Sequence, residues 1–207
     1  MFGIGEIFIL LFVTLGPFKL LGPFAQQTRD LSPSALRGIA VRAFVIGLAA
    51  VVIGGALGTE LAAKWRISVP AIEIATGIIL FLVATRLVLA GYERQPTPEP
   101  LPEAPMAAAL RLTFPLVVSP YGIAAVIALL ASTDDAGTIR AIYVILVIVM
   151  VLNLLAMLYV RSIMQGLTLL VLQVLGSVLG VLQVALAVQI VIRGLRELQL
   201  IPGLPKT

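Results

Sequence analysis

The sequence of 207 residues contains no cysteine and no histidine, and only 12% of its residues are charged. Without cysteine, disulfide bonds and thiolate chemistry are excluded. Without histidine, the chain also lacks the commonest metal ligand and the commonest proton shuttle near neutral pH. We therefore expect no metal site and no bound cofactor. The net charge of +4 is not gathered into a polybasic arm, so no nucleic-acid partner is expected either.

Apolar residues, by contrast, make up 60% of the chain. Soluble domains are about half apolar and about a quarter charged. Charge-free stretches cover residues 43–59, 112–131, 141–160 and 167–192. A helix needs ~20 apolar residues to cross a hydrocarbon core of ~30 Å. The composition therefore predicts an all-α membrane protein, a single membrane domain over residues 1–207 that is surrounded by membrane lipid.

Six membrane-spanning helices are predicted, and a proline-rich linker divides them into two groups of three. The first segment has Glu6 where a cleavable signal would carry basic residues, so we expect it to be a retained span. The linker, residues 95–106, contains five prolines and is expected to be extended and solvated. It separates a first half, 1–94, from a second half, 107–195, and residues 196–207 form a C-terminal tail. The predicted spans are 4–24, 38–62, 69–91, 107–131, 139–160 and 168–192.

The two halves share marks at an offset of 103 residues, which suggests an internal repeat. Gly16-Pro17-Phe18 lies over Ser119-Pro120-Tyr121, and Gly77 lies over Gly180. Two tandem units of three spans must have opposite orientations, as in the inverted repeats of many secondary transporters. The first helix of each half is interrupted by proline, in "GPFKLLGPF" and "FPLVVSPYG". Such matching interruptions point to a substrate site near the middle of the membrane.

Three stretches of the sequence resemble the MarC family of six-helix inner-membrane proteins. "LGPFKLLGPFAQQTRDLSP" at 15–33 is similar to the family's NPxGxxPxF segment followed by T-x-x-LSP. "ISVPAIEIATGIILF" at 67–81 is similar to GISLPAFRIAGGILLF, and "PLVVSPYGIAAVI" at 115–127 is similar to PLxxGPGxITTVI. Gly180, "AVQ" at 187–189 and Gly194 extend the resemblance into the last helix, so that it spans most of the chain.

The resemblance implies a multi-pass, transporter-like protein of the bacterial inner membrane. Some relatives look like transporters of small neutral amino acids. This chain departs from the family pattern at both interruptions, where the family's asparagine is Gly16, its next glycine is Lys19, and its GPG is Ser119-Pro120-Tyr121. These departures weaken any transfer of the family's substrate to this chain.

Lys19 is the residue that most needs an explanation. In a helix that starts near Ile4, it would lie ~22 Å along the axis, past the middle of the hydrocarbon core. Ionisable residues at such depth usually face a cavity or a partner, although the lysine stem can also extend to the interface. Lys19 could hold a substrate carboxylate or phosphate beside a half-helix N-terminus. Glu73, in the first turn of the third span, is the alternative partner or a proton acceptor.

The candidate substrate-binding residues are those at the two interruptions, together with Glu73. They are Gly16, Pro17, Lys19, Gly22, Glu73, Ser119, Pro120 and Tyr121. Neutral polar residues within the spans, such as Asn153 and Gln183, are interpreted as hydrogen-bonding groups between helices. The glycines of "GGALG" at 54–58 and "GSVLG" at 176–180 are interpreted as sites of close helix packing.

Three functions compete at this point. A secondary transporter of a small solute, an amino acid or another small metabolite, is favoured by the paired interruptions. A non-transporting membrane or lipid-binding protein is the second, and a homo-oligomer is compatible with either. An intramembrane enzyme is disfavoured, because a serine–histidine mechanism needs the missing histidine and only a Ser119–Lys19 dyad remains conceivable.

Overall fold

The computed structural model of the protein describes residues 3–90, 101–166 and 169–199, and within these ranges the chain is helical with no β-strand. Nine α-helices lie in this part of the chain: α1 (Ile4–Leu15), α2 (Phe18–Gln27), α3 (Pro33–Lys64), α4 (Val69–Ala90), α5 (Pro105–Leu112), α6 (Pro120–Ala131), α7 (Ala136–Leu158), α8 (Val160–Gly166) and α9 (Leu169–Glu197). A π-helical turn, Thr113–Val117, joins α5 to the segment before α6.

Five segments of the described chain are long and apolar enough to cross a membrane. A sixth span is obtained when α5 and α6, which are bent by 61° at their break, are counted together. The first span runs from Ile4 to Gln27 and contains the break between α1 and α2. The predicted all-α membrane fold with up to six spans is therefore confirmed.

Both proline breaks lie where the sequence predicted them, but the second is longer. In the first span, α1 ends at Leu15, Gly16 is extended (φ −72°, ψ 171°), and α2 begins at Phe18. In the second, Phe114 is already extended (φ −115°, ψ 122°), and α6 begins only at Pro120. The residue before a proline is disfavoured in helical geometry, so Pro115 explains the extended Phe114.

Two spans begin earlier than predicted because each helix has an N-cap several residues before its apolar stretch. α3 starts at Pro33, where the Ser32 hydroxyl accepts a hydrogen bond from the Ala35 amide, and proline is well suited to the first helical position. α7 starts at Ala136, where the Asp135 carboxylate accepts from the Thr138 amide at 2.7 Å. The last helix continues to Glu197, five residues beyond the predicted end.

The core lies where α1 and α6 pack against α3 and α7, and α4 and α9 form a pair packed along their length. Leu11, Leu15, Val126, Leu129 and Met150 are fully buried there. The outer faces are also apolar, so each spanning helix is hydrophobic nearly all round, as expected of a helix in lipid.

Glycines bring these helices close together, as predicted for "GGALG" and in part for "GSVLG". A β-carbon at Gly55 would lie 2.6 Å from Val126 Cγ1, and one at Gly58 would lie 2.3 Å from Ile127 Cδ1. At Gly180 a β-carbon would lie 2.6 Å from Val88 Cγ2, whereas at Gly176 it would meet nothing within 4 Å. Gly55, Gly58 and Gly180 are therefore packing residues, and Gly176 is not.

The inverted repeat stays a prediction. Gly77 packs against Val191, and Gly180 packs against Val88, so the two contacts are related by the same offset of 103 residues. Any antiparallel helix pair produces such reciprocal contacts, however, and α4 and α9 are such a pair. Residues 95–100 of the predicted linker (95–106) and residues 200–207 of the predicted tail (196–207) lie outside the described residues.

Substitution of Gly77 by alanine is expected to lower the thermal stability of the purified protein in detergent. The new β-carbon would lie 2.6 Å from Val191 Cγ2 and 2.8 Å from the Ala187 carbonyl oxygen, and overpacking of this kind costs about 1–3 kcal/mol. The matched control is Gly176→Ala in α9, whose β-carbon enters open space. Equal melting temperatures for the two variants would contradict the α4–α9 packing described above.

Candidate functional site

The candidate site is built around the C-terminal end of α1, where the helix break leaves carbonyl groups without their usual donors. Pro17 has no N–H group, so it cannot bond to the Val13 carbonyl four residues earlier. The Gly16 amide bonds to the Phe12 carbonyl at 2.8 Å, which closes the last regular turn. Beyond it, Thr14 and Leu15 are fully buried and Val13 is partly buried, so their carbonyls need donors from the protein where water is not available.

Side chains from other spans satisfy two of these carbonyls. Gln183 of α9 donates its side-chain amide to the Val13 carbonyl at 3.1 Å. Asn153 of α7 donates its side-chain amide to the Leu15 carbonyl at 2.5 Å. Both polar residues, interpreted from the sequence as hydrogen-bonding groups between helices, do bond across helices, and both bond to this helix end.

The Thr14 carbonyl lies between those of Val13 and Leu15 in the chain. It accepts hydrogen bonds from two of the candidate substrate-binding residues. Lys19 of α2 donates its ammonium group to it at 2.7 Å, and the Ser119 hydroxyl donates to it at 3.3 Å. Lys19 Nζ also lies 3.0 Å from Ser119 Oγ and 5.1 Å from the centre of the Tyr121 ring. The first break is thereby joined to the second, although 100 residues separate Lys19 from Ser119.

Ser119 also forms the N-cap of α6. Its Oγ accepts a hydrogen bond from the Gly122 amide at 3.3 Å, and Pro120 occupies the first helical position. A β-carbon at Gly122 would lie 2.3 Å from Leu15 Cδ2, so the start of α6 lies directly against the end of α1. The C-terminus of one half-helix therefore meets the N-terminus of another, with a lysine ammonium between them.

One polar atom beside this junction has no partner. Asn153 Oδ1 is buried and has no hydrogen-bond donor in the described structure. The orientation of the amide is fixed by chemistry, because its NH₂ group must face the Leu15 carbonyl. Its oxygen is therefore an acceptor without a donor among the described residues, beside the Leu15 carbonyl, which follows that of Thr14 in the chain.

Gly22 and Glu73 lie apart from this junction. A β-carbon at Gly22 would meet nothing within 4 Å, so a side chain there would enter open space and not the second break. Glu73 is wholly buried, and its Oε1 lies 3.6 Å from Arg193 Nε of α9. The pairing of Lys19 with Glu73 that the sequence suggested is therefore not the arrangement found.

Arg193 is shared by three carboxylates at the membrane edge where α1 and α4 begin and α9 ends. Besides Glu73, it lies 3.7 Å from Glu6 and 3.8 Å from Glu197. Neither Glu73 oxygen accepts a hydrogen bond from the described residues, so this cation is the main compensation among them for a fully buried carboxylate. In the part of the chain that is described, no group of histidine, cysteine, aspartate or glutamate side chains has the arrangement of a metal site.

Comparison with known proteins places the chain among membrane proteins. A family model described as "MarC family integral membrane protein" matches residues 1–199. The chain is also 26% identical over 193 residues to the UPF0056 membrane protein MJ1677 of Methanocaldococcus jannaschii, an alignment that covers 91% of this chain and 94% of the relative. No solved structure matches the chain.

Replacement of Asn153 by leucine, a residue of similar size, is expected to destabilise the protein. The Leu15 carbonyl would lose its donor, and a buried polar group left unsatisfied costs about 1–3 kcal/mol. Thermal unfolding in detergent measures the loss, and Gln189→Leu, at an exposed position of α9, is the control. Unfolding at the same temperature in both variants would show that the α1 end does not depend on this cap.

Arg193→Gln is expected to destabilise the protein by several kcal/mol, on the order of 3, because it leaves Glu73 as an uncompensated buried charge. In the double variant Glu73→Gln with Arg193→Gln, most of this stability should return, because the buried charge is removed. Unfolding measurements on the two single variants and the double variant test this. Strictly additive effects would contradict a direct Glu73–Arg193 interaction.

Proposed function

The chain belongs to the MarC family of integral membrane proteins, and on this premise we propose that it is a secondary transporter of a small solute that carries a carboxylate. An amino acid is the solute class we favour, with another small carboxylated metabolite as the broader class. Transport would proceed by alternating access around the two broken spans. We further propose that the protein resides in the inner, cytoplasmic membrane of a bacterium.

The observation that carries this proposal is the meeting of the two breaks. Lys19 Nζ lies 3.0 Å from Ser119 Oγ, and both groups donate to the Thr14 carbonyl. Non-helical backbone is tolerated at membrane depth only inside protein or beside a water-filled cavity. Transporters of several folds bind their substrates where two discontinuous helices face each other. The break-to-break contact in this chain fits that pattern.

The charges around the junction favour a carboxylate. Lys19 pairs with no acidic side chain in the described parts of the chain, and its contacts are a carbonyl, a hydroxyl and an aromatic ring. The N-terminus of α2, which begins one residue before Lys19, has no side-chain cap. A helix N-terminus and an ammonium group both stabilise an anion. A carboxylate bound here would compensate the one positive charge of the junction.

The free Asn153 oxygen favours an amino acid within this class. Asn153 Oδ1 is a buried acceptor without a donor among the described residues, and the Asn153 NH₂ group is bonded to the Leu15 carbonyl, which follows that of Thr14 in the chain. The ammonium group of an amino acid could donate to this oxygen while its carboxylate contacts Lys19. A solute with both groups would satisfy the two unmatched features of the junction together.

The distance of 3.0 Å between Lys19 Nζ and Ser119 Oγ also favours an intramembrane enzyme as the second candidate function. A serine–lysine dyad needs its two groups within hydrogen-bond reach. We favour the transporter because Ser119 is only 2% exposed and its hydroxyl is already engaged as a helix cap and as a donor to the Thr14 carbonyl. A serine-reactive fluorophosphonate distinguishes the two. Covalent labelling of Ser119 would support the enzyme, and absence of labelling would support the transporter.

Lys19→Met is expected to lower solute uptake into proteoliposomes by at least about tenfold, the effect of losing ~1.4 kcal/mol of binding. The folded yield should be retained, because Ser119 still donates to the Thr14 carbonyl. The matched control is Lys64→Met, which removes an exposed lysine from the end of α3. Unchanged uptake by the Lys19 variant would rule out its role in the site.

The solute itself can be found by thermal stabilisation, since a ligand that binds only the folded state must raise the apparent stability. Three compounds with a similar small skeleton test the two charged groups separately. Alanine carries an ammonium group and a carboxylate, propionate carries only the carboxylate, and ethylamine carries only the ammonium group. Alanine should stabilise most, propionate less, and ethylamine not at all, and Lys19→Met should remove the effect of the first two. Stabilisation by no amino acid or organic acid, with no uptake, would favour the non-transporting alternative.

A further inference from the structure

A second polar feature lies at the membrane edge opposite the Glu73–Arg193 cluster, in a groove between α2 and α8. The groove has a volume of about 700 Å³ and is lined by Ala25, Thr28, Arg29, Val160, Arg161, Met164 and Gln165. We propose that this groove binds the phosphate headgroup of an anionic phospholipid, with the acyl chains lying along α2. The proposal does not depend on the transport function proposed above.

The position of the groove matches the headgroup level of a bilayer. α2, the last part of the first span, ends at Gln27, and α8 begins at Val160, just after α7 ends at Leu158, so the groove lies at the ends of two spanning helices. Tyr159, the residue between α7 and α8, is 61% exposed. Tyrosine is enriched at membrane–water interfaces, where its ring is in lipid and its hydroxyl in water. The residues that follow it are therefore placed among headgroups.

Two arginines give the groove its charge. The Arg161 guanidinium donates to the Leu31 carbonyl, a contact that ties α8 to the segment after α2. Arg29 makes no hydrogen bond or ion pair in the described structure, and both side chains are exposed. Asp30 is the adjacent acidic residue and is also exposed. Guanidinium groups bind phosphate through paired hydrogen bonds, so two of them across one groove suit a phosphate ligand.

The apolar side of the groove favours a lipid over free phosphate. Ala25 and Met164, which line it, also pack against the hydrophobic core. Within α2, Phe18, Gly22 and Ala25 recur at i, i+4 and i+7 and therefore lie on one face, which runs from Ala25 in the groove to Phe18, 47% exposed, toward the middle of the membrane. A side chain at Gly22 would enter open space, so this face has room for an acyl chain.

Native mass spectrometry of the full chain in detergent tests the proposal, with dioleoylphosphatidylglycerol and dioleoylphosphatidylcholine as the competing lipids. The wild-type protein should retain phosphatidylglycerol in preference to phosphatidylcholine. Arg29→Gln with Arg161→Gln should weaken phosphatidylglycerol binding by about thirtyfold, the loss expected for two arginines at the interface. Arg140→Gln, which removes an exposed arginine at the other end of α7, should leave it unchanged.

Two further variants test whether a loss of binding reflects misfolding and whether the acyl chains contribute to binding. Arg29→Gln alone breaks no described contact, so it should fold normally and show an intermediate loss of binding. Gly22→Leu should weaken phosphatidylglycerol binding by filling the acyl path. Equal retention of phosphatidylglycerol by the wild-type and double-variant proteins would overturn the proposal. Equal binding of phosphatidylcholine, or complete displacement of the lipid by excess inorganic phosphate, would do so as well.

Discussion

The structure depends on how the broken end of α1 is satisfied inside the membrane. A helix that ends in hydrocarbon leaves carbonyl groups that cost several kcal/mol each if they find no donor. Here the Val13 carbonyl accepts a hydrogen bond from α9, and the Leu15 carbonyl accepts one from α7. The Thr14 carbonyl accepts from both α2 and the N-cap of α6. The break can therefore exist only when these other spans are in place. It couples helices that are far apart in sequence.

This constraint also explains why polar residues are gathered at the break. Lys19 would be costly in lipid, but beside the C-terminus of α1 its charge is stabilised by the Thr14 carbonyl and by the face of the Tyr121 ring. The same arrangement makes the junction sensitive to a ligand. A solute that attracts Lys19 away from Thr14 would weaken a contact between the two broken spans. Binding and helix movement would then be linked through one side chain.

Much of the fold could be predicted from local sequence, because charge-free runs and prolines act locally. The span count and both breaks followed from them, whereas the starts of α3 and α7 were missed although Ser32-Pro33 and Asp135 are recognisable capping signals. The site was only half predictable. Lys19 and Ser119 stood out by type and position, but the roles of Asn153 and Gln183 depend on tertiary contacts across more than 130 residues. No local pattern indicated that Glu73 would lie beside Arg193.

The central claim is that the junction of the two breaks is reached from both sides of the membrane in turn. Because the chain has no cysteine, Ser119→Cys gives a single reactive thiol at a position that is 2% exposed here. Sided labelling with a membrane-impermeant maleimide in proteoliposomes measures its access directly. The account predicts labelling from each side, with protection by the bound solute. Labelling from one side only, or from neither, in folded protein would contradict it.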